Sequence, residues 1–156
     1  MRWRAMAAAD LEAAEGIADA VHPDYPEDHA VFAERLRLFC RGCLILDDPP
    51  AGYAIAHPWT LGTPVRLNSL LVALPAEPDT LFLHDIALLP EVRGRGDAVA
   101  GVEVLTAVAA DLRLPTLSLV AVGRALSFWL ARGFVAVEGV DVGSYGVGAC
   151  YMVRRL

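Results

Sequence analysis

The sequence predicts one α/β domain, residues 1–156, built on a mixed sheet with helices on both faces. Three observations carry that prediction. The chain has 156 residues, 56% of them hydrophobic, and a domain of that size buries roughly 68–70% of its unfolded surface. Strand-length apolar runs and stretches at helical spacing follow one another in the order βααβββαβαββ. The stretch from Leu81 to Ala98, LFLHDIALLPEVRGRGDA, reads as a strand, a turn rich in donors and a helix start.

Arg2 to Met6 reads as a short first strand. Asp10 stands where it caps a helix running to about Val21, with Leu11, Ala14, Ile17, Ala18 and Val21 spaced for one buried face. Pro23 and Pro26 break it, so HPDYPEDH is loop. A second helix spans about Asp28 to Cys40, its Val31, Phe32, Leu36 and Phe39 apolar and its Glu34, Arg35 and Arg37 solvated, and Gly42 ends it. Cys43 to Leu46, the turn DDPPAG and Gly52 to Trp59 form an antiparallel hairpin. Thr60 to Thr80 holds Pro64, Pro75 and Pro78 and an apolar patch, Leu70 to Leu74, and reads as a long connection with room for one short strand. Connections of that length usually serve a function.

Beyond the central unit, a helix from Ala98 to about Arg113 carries Val102, Leu105, Val108, Ala109 and Leu112 on one face. Thr116 to Val122 lacks polar alternation and reads as a strand buried on both sides. Ala125 to Leu130 makes a short helix stopped by Gly133, and Phe134 to Val142 another strand.

Composition narrows the partners. A formal net charge of −6 and a pI near 5.1 argue against nucleic acid or an anionic membrane, which need dense positive charge. The opening MRWRAMAAADLEAAEG places Asp and Glu where a secretory signal has its apolar core, and no run reaches the ~18 apolar residues of a membrane span. The expectation is a cytoplasmic protein. Cys40 and Cys43 form a C-x-x-C that leaves a helix and enters a strand, the reverse of a redox pair. With no second ligand pair, reduced core cysteines and no metal site are expected.

The central unit suits an anion. Gly94 and Gly96 let the backbone take left-handed angles and come close to a ligand. The following helix aims its free N–H groups and positive dipole end at the same place. Arg93 and Arg95 add donors for phosphate oxygens. These residues resemble the acetyl-CoA pyrophosphate loop of the GNAT superfamily of N-acetyltransferases: Arg or Gln, two residues, Gly, one residue, then Gly or Ala. Arg93, Gly96 and Ala98 fill those places. A dinucleotide fold wants G-x-G-x-x-G straight after its strand, whereas Pro90 to Arg93 intervene and Val99 takes the sixth place.

The resemblance covers nearly the whole chain, strongly from Leu81 to Phe134 and loosely before that. Ala125, Gly133 and Phe134 match the family's later pattern, Val122 stands where Asn is frequent, and Trp129 where many members place a tyrosine acid. Ser144 to Gly146 and Cys150 to Val153 look like its final hairpin. The fold it implies is a mostly antiparallel sheet in which the strand holding His84 splays from its parallel neighbour Thr116 to Val122. Acetyl-CoA, as co-substrate, would lie in that gap. The resemblance gives it the backbone of Ile86, Ala87 and Leu88 for the pantetheine arm, the loop Arg93, Gly94, Arg95, Gly96, Asp97 and Ala98 for the pyrophosphate, and Phe128 and Trp129 beside it. It also sets Tyr25, His29 and Phe32 at the acceptor pocket. Asp97 is a departure, a carboxylate where the family has an aliphatic residue, and binding then requires it to point outward under the screen of Arg95.

The implied reaction is acetyl transfer to a primary amine of a small molecule or peptide, with a homodimer compatible but not fixed. A lysine-like amine of pKa ~10.4 is only about one part in 2,500 neutral at pH 7, so a base is needed. His84 has a suitable intrinsic pKa. Asp85 is its neighbour on a strand, so the two side chains should point to opposite faces, with one of them in the cleft. Tyr145 is a substitute acid, although a thiol leaving group departs with little help. The alternative function is a non-catalytic acyl-CoA-binding or sensory domain of the same fold.

Overall fold

In the computed structural model, which describes residues 2–156, the strands are β1 (Trp3–Ala5), β2 (Cys43–Leu46), β3 (Gly52–Trp59), β4 (Thr80–Leu88), β5 (Thr116–Ala121), β6 (Val135–Ala136) and β7 (Cys150–Arg155). The helices are α1 (Leu11–Val21), α2 (His29–Leu38), α3 (Asp97–Asp111) and α4 (Leu126–Ala131). The predicted order of elements is the observed one. The strands form a single sheet in the order β1-β2-β3-β4-β5-β7-β6. The β4–β5 pair is parallel and the other pairs are antiparallel.

The sheet has a core on each face. On one, Leu81, Leu83, Leu117 and Leu119 pack with Val102, Leu105 and Ala109 of α3 and Trp129 of α4. On the other, Ile45, Tyr53, Ile55 and Ala87 meet Leu11, Ala14 and Ile17 of α1 and Phe32 of α2. Burying a large apolar side chain stabilises by about 1.5–3 kcal/mol, so these two layers dominate the fold. Gly101 sets how closely α3 approaches: a Cβ there would lie 2.8 Å from the Trp3 ring.

Several expectations change. Asp10 ends a short 3₁₀ turn, Ala8–Asp10, that precedes α1, and its carboxylate reaches back to Ala7 N–H at 2.8 Å and pairs with Arg4. Leu112, assigned to the buried face of α3, is 36% exposed, because α3 ends at Asp111. Glu34 and Arg35, expected in solvent, are buried. Arg35 Nη1 bonds to Glu34 Oε1 at 3.0 Å, and that carboxylate also accepts Leu71 N–H at 2.6 Å and Val72 N–H at 2.9 Å. This pairing explains why Leu70 to Leu74 is not a strand: its main chain bonds to a side chain instead of a ladder. Phe134 to Val142 shortens to a two-residue strand, Val135–Ala136, with one further main-chain bond from Val137 N–H to Tyr151 O at 2.9 Å. Of the C-x-x-C, Cys43 is buried with its thiol pushed up to about 12 by burial, whereas Cys40 is exposed.

Candidate active site

Strands β4 and β5 pair at Leu81↔Leu117 and Phe82↔Ser118 and then part. Buried hydroxyls stitch the closed end: Thr80 Oγ1 donates to Ser118 Oγ at 2.9 Å, and Thr116 Oγ1 to Asp79 O at 2.9 Å. Past them the gap widens. Leu89 N–H bonds to Ala51 O on the β3 side, and main-chain polarity alternates along a strand. The N–H and C=O groups of Ile86 and Leu88 therefore turn toward the gap, while those of Ala87 turn to β3.

Opposite this divergence β4 carries a bulge. Ile55 faces Asp85 and the next residue of β3, Ala56, faces Leu83, so His84 is extra. The inserted residue reverses side-chain alternation. Leu81 and Leu83 belong to the α3 core, yet beyond the bulge Ile86 and Leu88 take that side and Ala87 the other. Contrary to the strand rule, His84 and Asp85 thus line one chamber.

That chamber holds about 100 Å³ and has a polar wall of His22, Glu27, His84, Asp85 and Tyr145. His84 Nε2 lies 2.6 Å from Glu27 Oε1, with the side chains 2% and 7% exposed. A carboxylate can only accept, so Nε2 carries a proton, and in the neutral ring Nδ1 holds the lone pair; Nδ1 is buried without a protein partner. His22 Nε2 stands 3.0 Å from Asp85 Oδ1, and Tyr53 donates its hydroxyl to Asp85 Oδ2. Burial opposes charge on all three of Glu27, Asp85 and His22. The histidines outweigh it for the two carboxyls, which end lower than usual, and Asp85 outweighs it for His22, which ends higher. Tyr145 Oη donates to Val65 O at 2.8 Å, and burial raises its phenol.

The chamber joins a groove of about 440 Å³ at Ile86, Ala125 and Trp129. The groove follows the gap to the glycine turn, where Gly94 and Gly96 hold φ of 78° and 83°, and Gly96 is the N-cap of α3. The arginines brace this turn: Arg93 Nε donates to Leu88 O at 2.9 Å, and Arg95 Nη2 to Glu91 O at 3.1 Å. Asp97 corrects its expectation. It points inward, 6% exposed, onto Arg2 Nε at 2.8 Å rather than under Arg95, and its carbonyl accepts Trp3 Nε1–H at 2.8 Å. Phe128 and Trp129 stack edge to face, 4.9 Å between centroids, along the groove wall.

The sequence missed Glu27, His22 and Tyr53 as partners of the strand pair. The first two sit in a proline-broken loop without periodicity, and Tyr53 reads as a sheet residue. Of the three acceptor-side residues, Tyr25 lines the chamber, Phe32 packs in the core against Tyr53, and His29 sits outside on Glu15. Among the described residues no cluster of metal-ligating side chains occurs, and no helix is long and apolar enough to cross a membrane.

No protein-family model and no curated protein matches the sequence. Solved structures do match in shape. The GNAT-like decarboxylase GphF, in complex with isobutyryl-CoA, aligns with a TM-score of 0.80 at 18% identity over 99% of each chain. Ard1 from Thermoplasma volcanium aligns at 0.76 and 14% identity, covering 99% of this chain and 96% of that one. The NatC complex bound to Gag peptide and CoA gives 0.76 at 16%, covering 99% and 97%.

Proposed function

The chain has the GNAT fold, and from that premise we propose that it transfers an acyl group from a CoA thioester, acetyl-CoA in the first instance, to a primary amine. The observation that carries the reading is the meeting of two spaces. A groove ending at a helix N-terminus opens, at Ile86, Ala125 and Trp129, into a chamber whose wall is a carboxylate-held histidine. The groove fits a CoA thioester: main-chain groups of Ile86 and Leu88 would hold the pantetheine arm, and the N–H groups around Gly96 to Ala98 the diphosphate. Fold likeness alone does not select the reaction; a decarboxylase shares this shape.

Glu27 holds His84 through Nε2–H, and Nδ1, which solvent does not reach in this conformation, would take the amine proton once the entering acceptor displaces what covers it. As the amine nitrogen bonds to the thioester carbon, its proton passes to Nδ1 and the carbon–sulfur bond breaks. The thiolate, of pKa ~8.5, leaves with its electron pair. The thiolate needs no strong acid to leave; Tyr145, its phenol raised by burial, would hydrogen-bond the departing sulfur by giving up its bond to Val65. Asp85, held by Tyr53 and His22, keeps negative charge in the chamber and favours a cationic acceptor on approach.

The test is thiol release from acetyl-CoA across amines, amino acids and peptides, with CoA affinity measured by calorimetry. His84→Gln should lower kcat by about 10²–10⁴-fold with CoA affinity unchanged. The second reading, a non-catalytic acyl-CoA-binding domain, is favoured by Trp129 at the acid's usual place. It wins if CoA binds and no acceptor releases thiol. Absence of any heat with CoA species ends both.

A further inference from the structure

The segment 65–72 borders the chamber through Leu67 and is tied down at both ends. On the β7 side, Val65 O accepts Tyr145 Oη–H at 2.8 Å and Leu67 N–H reaches Ser144 Oγ at 3.1 Å. On the α2 side, Leu71 and Val72 N–H both bond to Glu34. Between these ties Leu67 lines the chamber. Asn68 brackets the start of α2, its Oδ1 accepting Asp28 N–H at 2.8 Å. Its own N–H donates to Glu27 Oε2 at 2.9 Å, while Oε1 of the same carboxylate holds His84.

We propose that residues 65–72 form a strap whose seating assembles the His84–Glu27 pair, with the main-chain N–H of Asn68 as the positioning group. Glu27 lies in a loop and not on a helix or strand, so its carboxylate plane is fixed by what it bonds to. One oxygen goes to His84 and the other to the strap. Lifting the strap frees that second oxygen and opens the wall beside His84 to water. The strap also carries its own reason to lift. Asn68 has φ of 54° and Val72 φ of 68°, and a β-branched residue in that region is strained. Val72 is 78% exposed, so no packing compensates, and the Glu34 bonds hold it down. An acceptor too wide for the chamber of about 100 Å³ would unseat the strap and with it the base. The seated state therefore selects acceptors that are slender at the reacting nitrogen.

Calling His84 a base rests on the acyl-transfer reading, but the coupling does not, and its test needs neither CoA nor amine. In full-chain protein labelled uniformly with ¹⁵N, the His84 Nε2–H signal is assigned by its loss in His84→Gln. Its hydrogen exchange is then followed together with the amides of Leu71 and Val72. Glu34→Gln should speed amide exchange in the strap and speed Nε2–H exchange at least tenfold. Val72→Gly, an exposed site where folding is not at risk, should relieve the strain and slow both. The proposal is overturned if strap amides change in either variant while Nε2–H exchange stays within twofold of wild type. It is equally overturned if Val72→Gly leaves both unchanged. CoA calorimetry on the same samples reports separately on the acyl-transfer reading.

Discussion

Gly101→Ala, set beside Gly16→Ala, tests the packing that places the glycine turn. Both glycines lie inside helices, α3 and α1, and alanine there is favoured by about 0.8–1.0 kcal/mol. At Gly16 a Cβ meets nothing within 4 Å, so the gain stands alone. At Gly101 it would lie 2.8 and 2.9 Å from two atoms of the Trp3 ring and 3.2 Å from Ile86 Cδ1. Trp3 is 4% exposed and its indole N–H holds Asp97 O, so it cannot retreat without losing that bond, about 1 kcal/mol. Overpacking adds about 1–3 kcal/mol. The clash wins, leaving a net loss of about 1–3 kcal/mol. For a chain of this size each kcal/mol moves Tm by about 2–4 °C. Calorimetric melting should therefore show Gly16→Ala higher than wild type by a few degrees and Gly101→Ala lower by roughly 2–12 °C. Equal rises in both would refute the seating of α3 on Trp3.

Three further outcomes follow from single residues. Gly96→Ala, at φ of 83°, should cost about 1–2 kcal/mol of stability and weaken CoA binding in calorimetry. Gly139→Ala, at φ of 78° with open space around it, should cost the same with CoA binding unchanged. His57 is 1% exposed and burial lowers its pKa to about 3, although Nδ1–H donates to Pro58 O. The unfolded chain binds that proton at pH ~6.5, so the residue's contribution is complete above pH 6.5 and is lost as pH falls toward 3. The slope reaches about 1.4 kcal/mol per pH unit. Urea unfolding of His57→Gln from pH 7 to 3.5 should give a shallower acid limb than wild type; parallel limbs would show that His57 titrates normally in the fold.

Much of the scaffold was legible because its signals are local. β3 was predicted at Gly52 to Trp59 and is found there, and the glycine turn fixed the start of α3 to within a residue. What stayed hidden depends on partners far along the chain. Glu34 and Arg35 read as solvent residues because charge predicts exposure, whereas in the fold they pair with each other and Glu34 takes two main-chain N–H groups of the distant strap. The bulge at His84 leaves no trace in the pattern of apolar residues. Strand alternation therefore separated two side chains that share a chamber. Asp97 was read against its neighbour Arg95, while its cation, Arg2, comes from the other end of the sequence.

The sheet order has a consequence for synthesis. β7 sits between β5 and β6, so the flank of β5 facing away from β4 gains its partner only when residues 150–155 have been made. At roughly 5–20 residues per second, that strand waits a few seconds after it emerges, with its outer amides and carbonyls offered to any passing chain. Because β5 also parts from β4 after two residue pairs, it is exposed on both sides during that interval. The nascent protein is thus most prone to stick to its own copies just before the last strand arrives.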